Sequence, residues 1–81
     1  MEVKSMTIWE AAYKVLKQEG RPLHLRAIRL LIGEGNLFEF GARDPVKVLG
    51  VELDRHSAGV EVSKSATPQL FYRASPATYG L

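Results

Sequence analysis

Apolar residues recur along the N-terminal part of the chain at the intervals of an amphipathic helix. In the first such stretch they are Ile8, Ala11, Ala12, Val15 and Leu16. Intervals of three and four residues place these side chains on one face of a helix. Thr7, followed three residues later by Glu10, forms the sequence of a capping box, and Gly20 ends the pattern. The sequence predicts a first helix over Ile8–Glu19, after a flexible lead-in of residues 1–6.

The same periodicity returns after a connector that contains Pro22. A second helix is predicted over Leu25–Glu34, with a buried stripe of Leu25, Ile28, Leu31 and Ile32. His24 is expected to cap or pack at its start. The run Gly33–Asn36 ends the helix, and a glycine there is expected to supply the positive φ of the helix end. Leu23 lies in a segment too short for an independent strand, although it could add one edge to a small sheet.

A third helix is predicted over Asp44–His56, and its start has the clearest sequence signals of the three. The Asp44 carboxylate can accept a hydrogen bond from the first turn, and Pro45 suits the first helical position. At 100° per residue the inward seam comprises Val46, Leu49 and Leu53, with Gly50 beside them. The opposite face carries Lys47, Val51, Asp54 and Arg55, with Val48 at its edge.

Strand signals appear only in the C-terminal part. Residues 60–63 alternate like a brief strand. Residues 70–73 and 78–81 are rich in aromatic and β-preferring side chains, and residues 74–77 between them have the composition of a turn, which predicts a hairpin. The predicted fold is α+β: a winged helix-turn-helix over residues 7–81, in which three helices precede a C-terminal β-hairpin wing.

Composition sets limits on this domain. The 81 residues suit one small domain. No cysteine is present, which excludes disulfides and thiolate metal sites. No apolar run approaches the roughly 18 residues that span a bilayer, and the N-terminus lacks the apolar core of a signal peptide. We expect no membrane partner and no secretion, with a location in the bacterial cytoplasm or nucleoid, or in the nucleus of a eukaryote.

The charge balance is mildly basic. Eleven Lys and Arg stand against nine Asp and Glu, a net charge of +2. Neither half of the chain is a basic tail, since residues 1–42 carry six basic and five acidic side chains and residues 43–81 carry five and four. Binding to nucleic acid would therefore depend on local arrangement, and it should be weak and sensitive to salt.

No catalytic or metal site is expected. Asp54, His56 and Ser57 have the residue types of a hydrolase triad, but neighbouring helical residues diverge by 100° and their side chains cannot converge. His24 and His56 are the only histidines, and the carboxylates show no metal-binding spacing. The sequence predicts a non-catalytic protein without cofactors.

Motifs spread over most of the chain resemble the HARE-HTH domain, a winged helix-turn-helix module of certain vertebrate homeobox, Additional-sex-combs-like and restriction-endonuclease proteins. It is related to the N-terminal domain of the RNA polymerase delta subunit. The resemblance rests on Trp9-Glu10-Ala11-Ala12 with Val15-Leu16, Gly20-Arg21-Pro22-Leu23-His24 with Ile28, Gly41-Ala42-Arg43-Asp44-Pro45 with Leu49 and Leu53, and Phe71-Tyr72-Arg73-x-x-Pro76-x-Thr78-Tyr79-x-Leu81. It implies DNA binding, or recruitment of a DNA-processing or transcription machine, without catalysis.

The candidate contacts with double-stranded DNA surround the third helix and the hairpin. They are Arg43, Lys47, Arg55, Lys64 and Arg73 for phosphates or base edges, and Val48 and Val51 for thymine methyl groups. The helix would enter the major groove, and the wing would contact the DNA backbone. These charges could instead only aid solubility, since Glu52 and Asp54 dilute the positive field. Arg26 and Arg29 are expected on a solvated face, with phosphate contact as the alternative.

A second function remains open at this point. Apolar residues outside the predicted core could dock a protein partner such as RNA polymerase, a nuclease or a chromatin factor. The candidates for this docking surface are Phe38, Phe40, Val48 and Val51.

Overall fold

A computed structural model describes residues 6–41, 43–57 and 69–81, and in this part of the chain it contains three helices and a three-stranded sheet. The elements in chain order are α1 (Ile8–Glu19), β1 (Leu23–His24), α2 (Leu25–Glu34), α3 (Pro45–Arg55), β2 (Tyr72–Ser75) and β3 (Thr78–Gly80). The predicted α+β class is confirmed. The strand predicted for residues 60–63 and the candidate contact Lys64 lie outside the described residues.

Each helix begins at the residue that the sequence predicts, because local hydrogen bonds fix the caps. The Glu10 amide donates to Thr7 Oγ1 at 3.3 Å, and the Thr7 amide donates to Glu10 Oε1 at 2.9 Å, which completes the capping box. Asp44 Oδ1 accepts from the Lys47 amide at 3.2 Å. His24 also acts as a cap, since its Nδ1 accepts from the Arg26 amide at 3.1 Å.

The end of α2 corrects one expectation. Gly35 follows the helix with a φ of −85°, and the positive φ belongs to Asn36, at 51°. Asparagine tolerates this left-handed conformation better than most residues with a side chain. Placing the bend at Asn36 lets the Leu37 amide donate to the Ile32 carbonyl at 3.0 Å, and Leu37 packs against the core.

The sheet is antiparallel, and β3 is its central strand, in the order β1-β3-β2. Leu23 pairs with Tyr79, so the short connector does add one edge. The four-residue turn predicted at 74–77 is wrong, because Ala74 and Ser75 belong to β2. An irregularity in the register after Arg73 absorbs an extra residue, and the turn shortens to two residues.

The core lies where the three helices meet the inner face of the sheet. Its buried members are Ala11, Ala12, Val15, Leu16, Leu23, Leu25, Ile28, Ile32, Leu49, Leu53, Phe71 and Tyr79. Gly50 permits close packing of α3 on α2, since a Cβ atom there would lie 3.0 Å from Leu25 Cδ1. Trp9 completes the core as expected, with its ring 4.8 Å from that of buried His56. Met6, predicted to belong to the lead-in, also packs against this core.

Candidate nucleic-acid interface

Helix α3 presents one face to the core and the other to solvent. Leu49, Gly50 and Leu53 are buried, as the periodicity predicts. On the other side Lys47 is exposed and Val51 is 53% exposed, one of the largest exposures of an apolar side chain in the described part of the chain. Val48 is half-buried. The outer face of α3 therefore offers both charge and apolar surface.

An open groove of about 560 Å³ runs beside this face, between α3, the start of α2 and the β2–β3 hairpin. Its lining includes Arg26 from α2, Lys47 and Val51 from α3, and Ala77 from the hairpin turn. The turn is tied to α2, since the Leu25 amide donates to the Ala77 carbonyl at 2.8 Å. The hairpin and α3 thus form the two sides of one surface.

Asp54 connects the two sides of the groove. Its Oδ1 accepts a hydrogen bond from Arg73 Nη2 at 2.7 Å and another from the hydroxyl of Tyr79. Arg73 lies in β2 and Tyr79 in β3, so one carboxylate of α3 holds both strands. The guanidinium carbon of Arg73 also lies 5.9 Å from the centre of the Tyr79 ring. We call Asp54, Arg73 and Tyr79 the hairpin latch.

The latch changes the ionisation of its members. Burial raises the pKa of the Tyr79 hydroxyl above its usual value of 10.0, and the hydrogen bond to Asp54 raises it further, while Arg73 acts in the opposite direction. The hydrogen bond to Asp54 is also the main cause that raises the pKa of Arg73. Tyr79 is therefore neutral and Arg73 cationic near neutral pH.

These shifts predict a loss of stability in alkaline solution. The pKa of Tyr79 is higher in the folded than in the unfolded chain. The contribution of Tyr79 to the free energy of unfolding is therefore complete below about pH 10, and it falls as the pH rises towards the pKa of the folded chain. Urea unfolding between about pH 8 and 11 measures this decline. Tyr79→Phe should show a shallower decline than the unaltered protein, whereas Tyr72→Phe at an exposed site should not. Equal slopes for all three proteins would contradict the assignment.

Two of the candidate DNA contacts are engaged by carboxylates of α3. Arg73 is bound to Asp54, and Arg55 Nη1 lies 3.2 Å from Glu52 Oε2. Both arginine side chains are partly exposed, at 42% for Arg73 and 40% for Arg55, and Arg73 also lines the groove. The carboxylates of Glu52 and Asp54 nevertheless offset the positive charge of both arginines locally, as the sequence indicates.

A different set of cations has no such offset. Arg43 and Lys47 are exposed and form no ion pair within the described residues, and the same holds for Arg26. Lys47 and Arg26 line the same groove, and Arg43 immediately precedes the cap of α3. Two unpaired cations therefore lie at the N-terminal end of α3, beside the Asp44 carboxylate, and a third lines the same groove from α2. The sequence predicts that Arg26 lies on a solvated face, with phosphate contact as the alternative, and Arg26 is exposed.

The four apolar residues considered for protein docking do not converge on one surface. Val51 lines the groove beside α3, whereas Phe38 and Phe40 line a separate depression with Arg29. Arg29, expected on a solvated face, is half-buried, and its guanidinium carbon lies 5.2 Å from the centre of the Phe40 ring. The two phenylalanine rings contact each other edge to face, with centroids 4.9 Å apart.

Within the described residues no three histidine, cysteine or acidic side chains come close enough to bind a metal ion together. No helix in this part of the chain has the length and apolar character that crossing a membrane requires. Comparisons with protein-family models, curated protein sequences and solved structures give no significant match.

Proposed function

We propose that this domain is a non-catalytic module that binds double-stranded DNA as a winged helix. Helix α3 enters the major groove, and the β2–β3 hairpin lies along the DNA backbone as the wing. The observation that carries this proposal is the solvent-exposed outer face of α3, with unpaired cations gathered at its N-terminal end. In helix-turn-helix proteins the N-terminal residues of the recognition helix contact base edges.

The architecture supports the same proposal. The elements follow the order of a winged helix, and β1 joins the hairpin in one sheet. With 11 residues, α3 is about 16 Å long, which suits a major groove about 12 Å wide. The hairpin latch holds the wing against α3, so the helix and the wing would meet DNA as one rigid surface. The resemblance to the HARE-HTH domain points in the same direction.

The ion pairs divide the candidate DNA contacts into two groups. Arg26, Arg43 and Lys47 are the cations available for phosphate or base contact, while Arg55 and Arg73 must exchange a carboxylate for a phosphate. In this proposal Val51 touches a thymine methyl group, with Val48 at the edge of the contact. Three phosphate contacts give a slope of about −3 in log K against log salt concentration. Binding should therefore be weak and should fall steeply with salt.

Fluorescence anisotropy with a labelled duplex, measured from low to moderate salt, tests this proposal. The double variant Arg43→Ala, Lys47→Ala should weaken binding about tenfold at low salt and reduce the salt slope by about 2, because two phosphate contacts are lost. The matched control is Lys14→Ala, Lys17→Ala, which removes the same charge from α1, at side chains that do not line the groove. The control should bind DNA almost as the unaltered domain does.

Two outcomes would contradict the proposal. Absence of duplex binding at low salt would exclude DNA as the partner, and equal losses in the two double variants would show that only net charge matters.

The second candidate function is docking to a protein such as RNA polymerase, a nuclease or a chromatin factor. The large exposure of Val51 favours it. If the domain does not bind duplex DNA, and if Val51→Asp abolishes its binding to a protein partner, then the domain is such a docking module.

A further inference from the structure

The connector between α2 and α3 contains a short stretch with the alternation of a β-strand. Phe38 and Phe40 are half-buried and pack against the core, whereas Glu39 between them is exposed. A period of two is the side-chain pattern of an extended chain. The edge-to-face contact of the two rings shows that both lie on the same side of this stretch.

The backbone of this stretch lacks hydrogen-bond partners. In the described part of the chain no hydrogen bond reaches the amide or the carbonyl of Phe38, Glu39 or Phe40. The last backbone bond before them joins Leu37 to Ile32. An extended segment with free donors and acceptors is a template for pairing with another chain. Extended peptides bind sheet-like edges in this way, by β-augmentation.

A depression of about 500 Å³ lies along this stretch, with Arg29 and Gly33 of α2 forming its other wall. The Arg29 guanidinium has no ion pair or hydrogen bond within the described residues, and its buried Nε has no acceptor. Gly33 makes room for it, since a Cβ atom there would lie 2.8 Å from Arg29 Nη1. Guanidinium groups bind carboxylates through paired hydrogen bonds, so the depression has a receptor for an acidic side chain.

We propose that the Phe38–Phe40 edge binds an extended acidic peptide segment of a partner protein. The peptide backbone pairs with the free amides and carbonyls of the edge. An apolar side chain of the peptide packs on the two phenylalanine rings, and a carboxylate reaches the Arg29 guanidinium. This surface is separate from the DNA groove, so it would let the domain hold a protein partner while α3 is occupied.

The test is a titration followed by backbone-amide chemical shifts. The probe is a blocked peptide of alternating Val and Glu, about eight residues long, which matches an ordinary strand with a few flanking residues. Shifts should concentrate at the amides of residues 38–41, and exchange of alternate amides there should slow, with a Kd of about 1 mM or tighter. The matched peptide of alternating Val and Gln should bind about fivefold more weakly.

Variants of the domain and a third peptide test the separate parts of the proposal. Arg29→Gln should reduce binding of the Glu peptide to the level of the Gln peptide, whereas Glu39→Gln should strengthen it by removing a like charge. A Glu peptide N-methylated at alternate residues should not bind, because it lacks the amides that pair with the edge. Shifts confined to α3, equal binding of the Glu and Gln peptides, or full binding of the N-methylated peptide would each overturn the proposal.

The outcome does not depend on DNA binding. Arg43→Ala, Lys47→Ala should bind the Glu peptide normally, and Arg29→Gln should bind duplex DNA normally. A domain that binds peptide but not DNA would therefore refute only the DNA proposal. A domain that binds DNA but shows no response at residues 38–41 would refute only the peptide site.

Discussion

Replacing Leu49 with alanine is expected to lower the free energy of unfolding by about 3 kcal/mol. Leu49 is fully buried on the inner face of α3, where α3 packs against α1 and α2. The substitution removes apolar contacts and leaves a cavity, while alanine keeps the helix itself favourable. Because a domain of this size is only marginally stable, this one change should remove a large share of its total stability.

Urea unfolding monitored by circular dichroism measures this effect, and the chain offers a matched control. Leu30→Ala makes the same chemical change on α2, at a side chain that is 59% exposed. Its cost should stay within about 0.5 kcal/mol. Similar losses in both variants would contradict the packing of α3 described above. A loss in Leu49→Ala alone would establish that burial, and not helix propensity, causes the difference.

The helices could be predicted from sequence because their signals are local. Thr7 with Glu10, and Asp44 with Pro45, define helix starts within one turn of chain, and the apolar spacing defines the buried faces. The buried seam of α3 was predicted correctly for the same reason. Ile8, Leu31 and Val46 are less buried than the helical stripes suggest, since all three lie at the edge of the core.

The hairpin boundaries could not be predicted in the same way. The composition of residues 74–77 is typical of a turn, yet pairing with β3 extends β2 through Ser75. That pairing requires Ala77 to adopt a φ of 57°, a conformation that is uncommon for a residue with a side chain. The hydrogen bond from the Leu25 amide to the Ala77 carbonyl helps to fix it. A contact so distant in sequence leaves no local signal.

The sequence predicted which face of α3 is exposed, but not the contacts that cross the groove. The sequence identifies the outer face of α3, and the structure places Lys47 and Val51 there. The pairing of Arg73 with Asp54 spans 19 positions and could not be read from spacing. The involvement of Tyr79 was missed altogether, although a tyrosine in the central strand of a small sheet is a signal for a buried hydroxyl that needs a partner.

Asp54→Ala is expected to be the most damaging change on the solvent side of α3, at about 2 kcal/mol. Most of this loss comes from Tyr79, which is 2% exposed and would keep a buried hydroxyl without an acceptor. The ion pair with Arg73 adds less, because both groups are partly exposed. Glu52→Ala is the matched control, since it removes the equally exposed pair with Arg55 but leaves no buried hydroxyl without an acceptor, and it should cost below about 0.5 kcal/mol.

A double-mutant cycle isolates the contact between α3 and the hairpin. The double variant Asp54→Ala, Tyr79→Phe should lose about 1 kcal/mol less stability than the sum of the two single changes. The reason is that the phenylalanine has no hydroxyl that could be left without an acceptor. Strict additivity would mean that the hydrogen bond between Tyr79 and Asp54 contributes nothing to stability. The same Asp54→Ala variant should bind duplex DNA more tightly at low salt, because it releases Arg73 and removes a negative charge from the groove. Lower stability with higher affinity would show that Asp54 stabilises the hairpin at a cost to the positive field of the proposed interface.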